Sequence, residues 1–195
     1  MRTQLIASAA LLLLPACGES DQNATDRIQV TGQSGGGSGV QPARAETRGQ
    51  DFVSTVVGAF DFAIESARLA ERKAGQAEVK QFAAKLRADI ETSRTELAQL
   101  ASASGLKLDP MAGETHQTDL AVLSSTQGAP LEQAFAEQQM EALTGLVGLI
   151  RAYKNGGDNP QLKAWAEKHQ GTINDRLLDV QTLNAELQEV REAAN

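Results

Sequence analysis

The sequence predicts an all-α protein built as a four-helix bundle, and three observations support this prediction. Apolar residues recur at steps of three and four along four long stretches, which is the spacing of amphipathic helices. Short connections join the first stretch to the second and the third to the fourth, so each pair is expected to form an antiparallel hairpin. A longer connection separates the two hairpins, and 41% apolar residues suffice for one core.

The first sixteen residues are predicted to be an export signal. Arg2 supplies a positive charge, and residues 6–14 form an apolar run that is too short to span a bilayer. The run ends in Leu14-Pro15-Ala16-Cys17, which resembles a bacterial lipobox, where the signal is cut before the cysteine and the thiol receives a diacylglycerol. The alternative is an ordinary signal peptide cleaved near Ala16. Cys17 is the only cysteine, so no disulfide and no cysteine-based metal site is expected.

A lipidated Cys17 would hold the protein on a membrane, because each buried methylene contributes about 0.8 kcal/mol. The residue after Cys17 is Gly18, whereas an Asp at this position would resemble an inner-membrane retention signal. We therefore expect the protein to be anchored in the outer membrane, facing the periplasm. Residues 17–50 are rich in Gly, Ser, Gln and Thr and are predicted to form a flexible tether. A segment that folds on a partner is the alternative.

The folded domain is expected to span residues 51–192 and to open with a helical hairpin. Its first helix covers residues 52–74 and stops at Gly75. The second covers residues 77–104, with Gly105 past its end, where glycine favours the left-handed conformation of a helix terminus. Both faces read as apolar from end to end. They comprise Phe52, Val53, Val56, Phe60, Ala63, Ala67, Ala70, Ala74, Val79, Phe82, Ala83, Leu86, Ile90, Leu97 and Leu100.

The second half of the domain is expected to contain another hairpin. Asp109-Pro110 is a candidate helix start within the long connection, which is predicted to hold a short helix near residues 115–124. Pro130 opens the third long helix, and Asn155-Gly156-Gly157 ends it. Asn159-Pro160 is the strongest start signal, an N-cap followed by proline at the first helical position. The apolar face of the last helix comprises Leu162, Trp165, Ala166, Ile173, Leu177, Val180, Leu183, Leu187 and Val190.

The length of the middle connection leaves two topologies open. It can cross the bundle, as in ferritin-like folds, or it can be an idle loop in an up-down bundle; we favour the crossover. Gly145 and Gly148 in the third long helix each cost about 1 kcal/mol relative to alanine. We expect them to allow the close approach of a neighbouring helix, with a ligand groove as the alternative.

Three segments, Phe62–Ala74 (FAIESARLAERKA), Val79–Asp89 (VKQFAAKLRAD) and Asp158–Ala166 (DNPQLKAWA), resemble exported bacterial proteins known as domain of unknown function 4142. The resemblance covers most of residues 52–190. It implies a ferritin-like four-helix bundle that is often secreted or lipid-anchored. It also implies a metal cluster, formed by a Glu on the first helix, Asp-His pairs on the second and third, and a His on the fourth.

The chain departs from that ligand set at every position that can be aligned. The aligned positions are Ala63, Asp89-Ile90, Ala142-Leu143 and Arg176. Metal sites in helical bundles need inward carboxylates and imidazoles, and no Glu-x-x-His motif is present. The two histidines, His116 and His169, are expected to be surface or partly buried, hydrogen-bonded side chains. We therefore predict no metal and no cofactor.

Arg176 falls on or beside the apolar stripe of the last helix, where an unpaired cation would be costly. We expect it either to reach the end of the bundle or to pair with a carboxylate of another helix. The candidate partners are Asp89, Glu65 and Glu141, and the ion pair would replace a metal site. The alternative is an exposed arginine on the flank of the helix.

Composition narrows the classes of function. The chain carries 25 acidic and 18 basic residues, and its Lys and Arg are not clustered, so no nucleic-acid partner is expected. No Ser-His-Asp or Cys-His set can be assembled from His116, His169 and Cys17, so we expect no catalytic residue. The main hypothesis is a membrane-anchored, non-catalytic envelope lipoprotein acting in interaction, envelope structure or stress, with an unidentified envelope protein as partner. The alternatives are a metal-binding ferritin-like oxidase or metal store, and a small-molecule or lipid carrier.

Overall fold

A computed structural model describes residues 48–110 and 114–193, and within these ranges all regular structure is α-helical. The predicted signal peptide, Cys17 and nearly all of the predicted tether lie outside the described residues. Four long helices and one short helix form a single bundle, so the predicted all-α bundle is confirmed. The helices are α1 (Gly49–Lys73), α2 (Ala77–Ala103), α3 (Glu114–Ser125), α4 (Ala129–Gly156) and α5 (Pro160–Ala193).

The middle connection crosses the length of the bundle. The N–H of Gly49, at the start of α1, donates to Oδ1 of Asp158 beyond the end of α4, at 2.9 Å. At the opposite end, the N–H of Gly75 donates to Oε1 of Glu132 in the first turn of α4, at 2.6 Å. Helices α1 and α4 are therefore antiparallel, and the chain must travel the whole bundle between α2 and α4. The predicted crossover is correct, and the up-down alternative is wrong.

Several helix ends follow the sequence signals. Gly105 has a φ of 67°, and the N–H of Leu106 donates to the carbonyl of Ala101, which closes α2 as predicted. Oδ1 of Asn159 accepts hydrogen bonds from the N–H groups of Gln161 (2.9 Å) and Leu162 (3.2 Å), which is the predicted N-cap of α5.

Two helix starts differ from the prediction. Helix α1 begins at Gly49, so it takes in the last two residues that were assigned to the tether. It can do so because the Asp158 carboxylate satisfies the Gly49 N–H and lies at the positive end of the helix dipole. The predicted start at Asp109-Pro110 is wrong, since neither residue is helical and α3 begins at Glu114.

The apolar faces meet in one continuous core along the bundle axis. Its aromatic end is well packed: the ring of Phe52 stacks on Tyr153 with centroids 3.9 Å apart. Val190 was predicted to belong to the core but is 57% exposed. Helix α5 has 34 residues and α4 has 28, so the last turns of α5 extend past the helices that could cover them.

The interior also holds polar side chains, so the expectation of helix faces that are apolar throughout is wrong. The buried polar residues are Ser54, Ser66, Ser93, Glu132, Gln139, His169, Arg176 and Asn184. Buried polar groups need hydrogen-bond partners, and finding those partners locates the candidate site. Among the described helices, none combines the length and the apolar character that crossing a membrane would require.

Candidate functional site

A row of polar side chains follows the interface between α2 and α5. We call it the polar seam, and it comprises Lys85, Asp89, Ser93 and Glu96 on α2 and Lys168, His169, Arg176 and Asp179 on α5. The α2 members recur at steps of three and four, which places them on one face of that helix. Because α2 and α5 are antiparallel, each member meets a partner across the interface.

Arg176 lies at the buried centre of the seam. It is only 6% exposed, and its Nε lies 3.2 Å from Oδ2 of Asp89. That Nε makes no directed hydrogen bond, so the contact with Asp89 is a charge contact. Nη1 donates to Oδ2 of Asp179 at 2.6 Å, and the same oxygen lies 3.1 Å from Nζ of Lys85. The two carboxylates thus balance the positive charge of a guanidinium group that is buried away from water.

The other two candidate partners of Arg176 lie elsewhere. Glu65 is on the surface, where it pairs with Arg68 at 2.6 Å. Glu141 is exposed on α4 and lines a groove described below. Sequence reasoning missed Asp179, although its position three residues after Arg176 is a known pairing distance on a helix.

His169 connects the two helices through both ring nitrogens. Nδ1 lies 2.9 Å from Oγ of Ser93, and Nε2 lies 2.8 Å from Oε2 of Glu96. The ring is 5% exposed and packs against Trp165, with centroids 4.8 Å apart. The expectation of a hydrogen-bonded, partly buried histidine was close, but the side chain is more buried than expected.

Ser93, His169 and Glu96 form a serine–histidine–carboxylate chain, which sequence reasoning said could not be assembled. Its surroundings do not suit nucleophilic catalysis. Ser93 is 1% exposed in the middle of α2, and its Oγ also donates to the carbonyl of Asp89 at 2.9 Å. A substrate carbonyl has no approach to that oxygen, and helix N–H groups are occupied by the helix itself, so they form no oxyanion hole. The chain of hydrogen bonds joins α2 to α5.

The pKa of the Glu96 carboxyl group is lowered by its partners in the seam. The hydrogen bond from Lys168, at 2.7 Å, lowers the pKa of Glu96 most, and the hydrogen bond with His169 lowers it further. Both donors stabilise the ionised carboxylate. Glu96 is therefore an acceptor at neutral pH, and it cannot supply a proton to His169.

The positions that the family resemblance assigns to metal ligands do not form a metal site. Ala63, Ile90 and Leu143 are buried hydrocarbon, and Arg176 is a permanent cation beside Asp89. A guanidinium has no lone pair to offer a metal and repels one. Across residues 48–110 and 114–193, no three His, Cys, Asp or Glu side chains come close enough together to hold an ion. The donor set does not fit the implied cluster.

An open groove of about 860 Å³ lies between α1 and α4, beside the start of α3. We call it the α1–α4 groove; its lining includes Phe52, Ala59, His116, Glu141, Leu146 and Leu149. Gly145 and Gly148 lie in its wall, and a Cβ built on either glycine meets no described atom within 4 Å. The expectation that these glycines allow close helix packing is therefore wrong. They line an open groove, which was the alternative expectation.

These features define a class of protein: a four-helix bundle with one long crossover, a paired polar seam and an open apolar groove. The chain belongs to the family described as Domain of unknown function (DUF4142), whose model matches residues 37–183. No curated protein and no solved structure matches the chain.

Proposed function

We propose that the protein is a lipid-anchored lipoprotein of the bacterial envelope, in the outer membrane and facing the periplasm, whose bundle is non-catalytic and acts in interaction or envelope structure. Support for the anchor comes from the sequence: Cys17 follows the apolar run directly and lies in a lipobox-like context. Residues 18–47, which separate that cysteine from the bundle, have the composition of a tether.

The Arg176–Asp89 contact is the observation that carries the non-catalytic part of the proposal. A side-chain cation lies beside the carboxylate that the family resemblance assigns to a metal ligand, so charge is balanced without an ion. The long crossover supports a ferritin-like relationship at the level of the fold. Fold alone does not carry an oxidase or storage activity over to this chain.

Replacing the cysteine tests the anchor. Cys17→Ser should move the protein from the membrane fraction to the soluble periplasmic fraction, because no acyl chain can then be attached. Gly18→Ala keeps the cysteine and should leave the protein with the membrane, which controls for disturbance of the signal. A wild-type protein found in the soluble fraction, or a Cys17→Ser variant that stays with the membrane, contradicts the anchor.

Elemental analysis tests the metal alternative. The purified protein, supplied with iron and manganese during expression, should carry neither metal in stoichiometric amount. A stoichiometric content that survives dialysis would contradict the ion-pair interpretation and revive the oxidase or store. Arg176→Met is the matched variant, since it keeps the volume of the side chain and removes the cation that repels a metal.

The α1–α4 groove favours one second candidate, a small-molecule or lipid carrier. Its volume lies in the range of ligand pockets, and its lining is mostly apolar with a few polar groups. The two glycines keep it open at a cost in helix propensity of about 1 kcal/mol each.

A further inference from the structure

The α1–α4 groove has two distinct ends, and they differ in what they offer a ligand. One end lies between the first turns of α1 and the second half of α4, where Leu149 supplies partly exposed apolar surface and Phe52 and Leu146 are buried. The other end adjoins α3, where His116 and Glu141 line the groove. A ligand that fits both ends needs an apolar body and one polar group.

His116 forms part of the groove wall next to α3. Its ring stacks on Phe62, with centroids 4.5 Å apart and an angle of 9° between the planes, so the ring is held in a fixed orientation. Its Nδ1 is buried and has no hydrogen-bond partner among the described residues. Because that atom is closed to solvent, a ligand in the groove would contact the partly exposed part of the His116 ring and not Nδ1.

The charges at the groove select the sign of the ligand. Glu141 is exposed and has no ion-pair partner among the described residues, so its charge is available to a ligand. At the opposite end, Asp51 is already paired with Arg48 at 3.1 Å. Among the described residues the lining contains no Lys or Arg, and its carboxylates, Asp51 and Glu141, would repel a carboxylate or phosphate ligand.

We propose that the α1–α4 groove binds a small amphiphilic amine, with its apolar body along the partly exposed Ala59, Ala142 and Leu149 and its protonated amine at Glu141. This inference rests on the carrier candidate and adds the chemical class of the ligand. The amine would donate to the Glu141 carboxylate, and this acceptor at one end would set the orientation of the ligand in the groove.

Binding of three probes that share one alkyl chain tests the proposal. Dodecylamine, dodecanol and dodecanoate are titrated, below their micelle-forming concentrations, into the full chain carrying Cys17→Ser, so that no acyl chain of its own can enter the groove. We expect saturable binding in the order amine, alcohol, carboxylate, with the amine bound about fivefold more tightly than the alcohol. The amide signals of Gly145 and Gly148 should shift during the titration.

Two matched pairs of variants locate the site. Gly145→Leu fills the groove and should weaken dodecylamine binding about tenfold or more, because the new side chain occupies the ligand's space. Gly171→Leu makes the same change at another helical glycine with open surroundings and should have no effect. Glu141→Gln should reduce the preference for amine over alcohol, and Glu167→Gln, an exposed position on α5, should not.

The outcomes separate this inference from the proposals on which it depends. Equal binding of dodecylamine and dodecanol, both lost in Gly145→Leu, overturns the amine preference and leaves the carrier candidate standing. No saturable binding of any probe, or equal effects of Gly145→Leu and Gly171→Leu, overturns both. Membrane fractionation of Cys17→Ser tests the anchor independently of either result.

Discussion

The guanidinium group of Arg176 lies 3.2 Å from the carboxylate of Asp89, across the interface between α2 and α5. Arg176 is almost fully buried, whereas Asp89 keeps 36% of its side chain exposed. The pair therefore brings a cation into the bundle while its partner stays in contact with water. The buried charge of Arg176 therefore depends on its carboxylate partners for stabilisation, and the free energy of unfolding measures their contribution.

Removing the charge of Asp89 should destabilise the bundle. Among the described residues, Asp89→Asn leaves Arg176 with Asp179 as its only carboxylate partner. We expect a loss of about 1–2 kcal/mol, less than for a fully buried pair because Asp89 is partly exposed. Urea unfolding measures the change. Asp175→Asn, at an exposed position on α5, is the control and should stay within about 0.5 kcal/mol of wild type. In an Arg176→Met background the effect of Asp89→Asn should disappear; full additivity would show that the two side chains are not coupled.

Glu132 should be a strong stabilising residue, although it belongs to no predicted site. It is 2% exposed, and its Oε1 accepts hydrogen bonds from the N–H groups of Gly75 and Gln76 at 2.6 and 2.8 Å. Glu132→Ala leaves both donors without that partner, so we expect a loss of about 2 kcal/mol in the free energy of unfolding. Glu137→Ala, on an exposed face of the same helix, should cost far less. Equal losses would mean that the turn between α1 and α2 does not need the carboxylate.

Acid should weaken the polar seam through Glu96. Its pKa is lowered in the folded state by hydrogen bonds from Lys168 and then His169, so its contribution to stability is present above the ordinary carboxyl pKa and is lost as the pH falls through the folded pKa. Unfolding free energies from about pH 7 to about pH 3 should therefore fall less steeply for Glu96→Gln than for wild type. Glu167→Gln should follow the wild-type curve. Parallel curves of unfolding free energy against pH for all three proteins would show that Glu96 does not contribute to the loss of stability in acid.

Two glycines should respond to alanine with opposite signs. Gly105 has a φ of 67°, which alanine adopts reluctantly, so Gly105→Ala should destabilise by about 1 kcal/mol. Gly171 lies within α5, and a Cβ there meets no described atom within 4 Å, so Gly171→Ala should stabilise by about 0.5–1 kcal/mol. Thermal unfolding of the two variants checks both signs. A stabilising Gly105→Ala would mean that the end of α2 does not require the left-handed conformation.

The helices, their hairpin pairing and most of the core could be predicted because their signals are local. Spacing of apolar residues, the Asn159 cap and Gly105 act within a turn or two of their own position, and the structure uses them as predicted. The start of α1 could not be predicted in the same way. Its partner, Asp158, lies far along the chain and reaches Gly49 only once the bundle is assembled.

The polar seam and the α1–α4 groove also combine features that could be predicted from the sequence with features that could not. Sequence reasoning identified Arg176 as a cation on a buried stripe and included Asp89 among its partners, but it could not choose between Asp89, Glu65 and Glu141. That choice depends on which helices are neighbours and on their register. It also missed the link from Ser93 to His169, because two polar residues on different helices carry no mark of their contact.

Gly145 and Gly148 show most clearly what could not be predicted from the sequence. A glycine within a helix is equally consistent with a closely packed neighbouring helix and with an open groove, because the sequence shows the same residue type in both cases. The sequence by itself determined the helices, their amphipathic faces and the crossover length, because these follow from chain geometry and the burial of apolar surface. Only the tertiary structure decided that the two glycines face open space, because that depends on which residues of the other helices lie beside them in the assembled bundle.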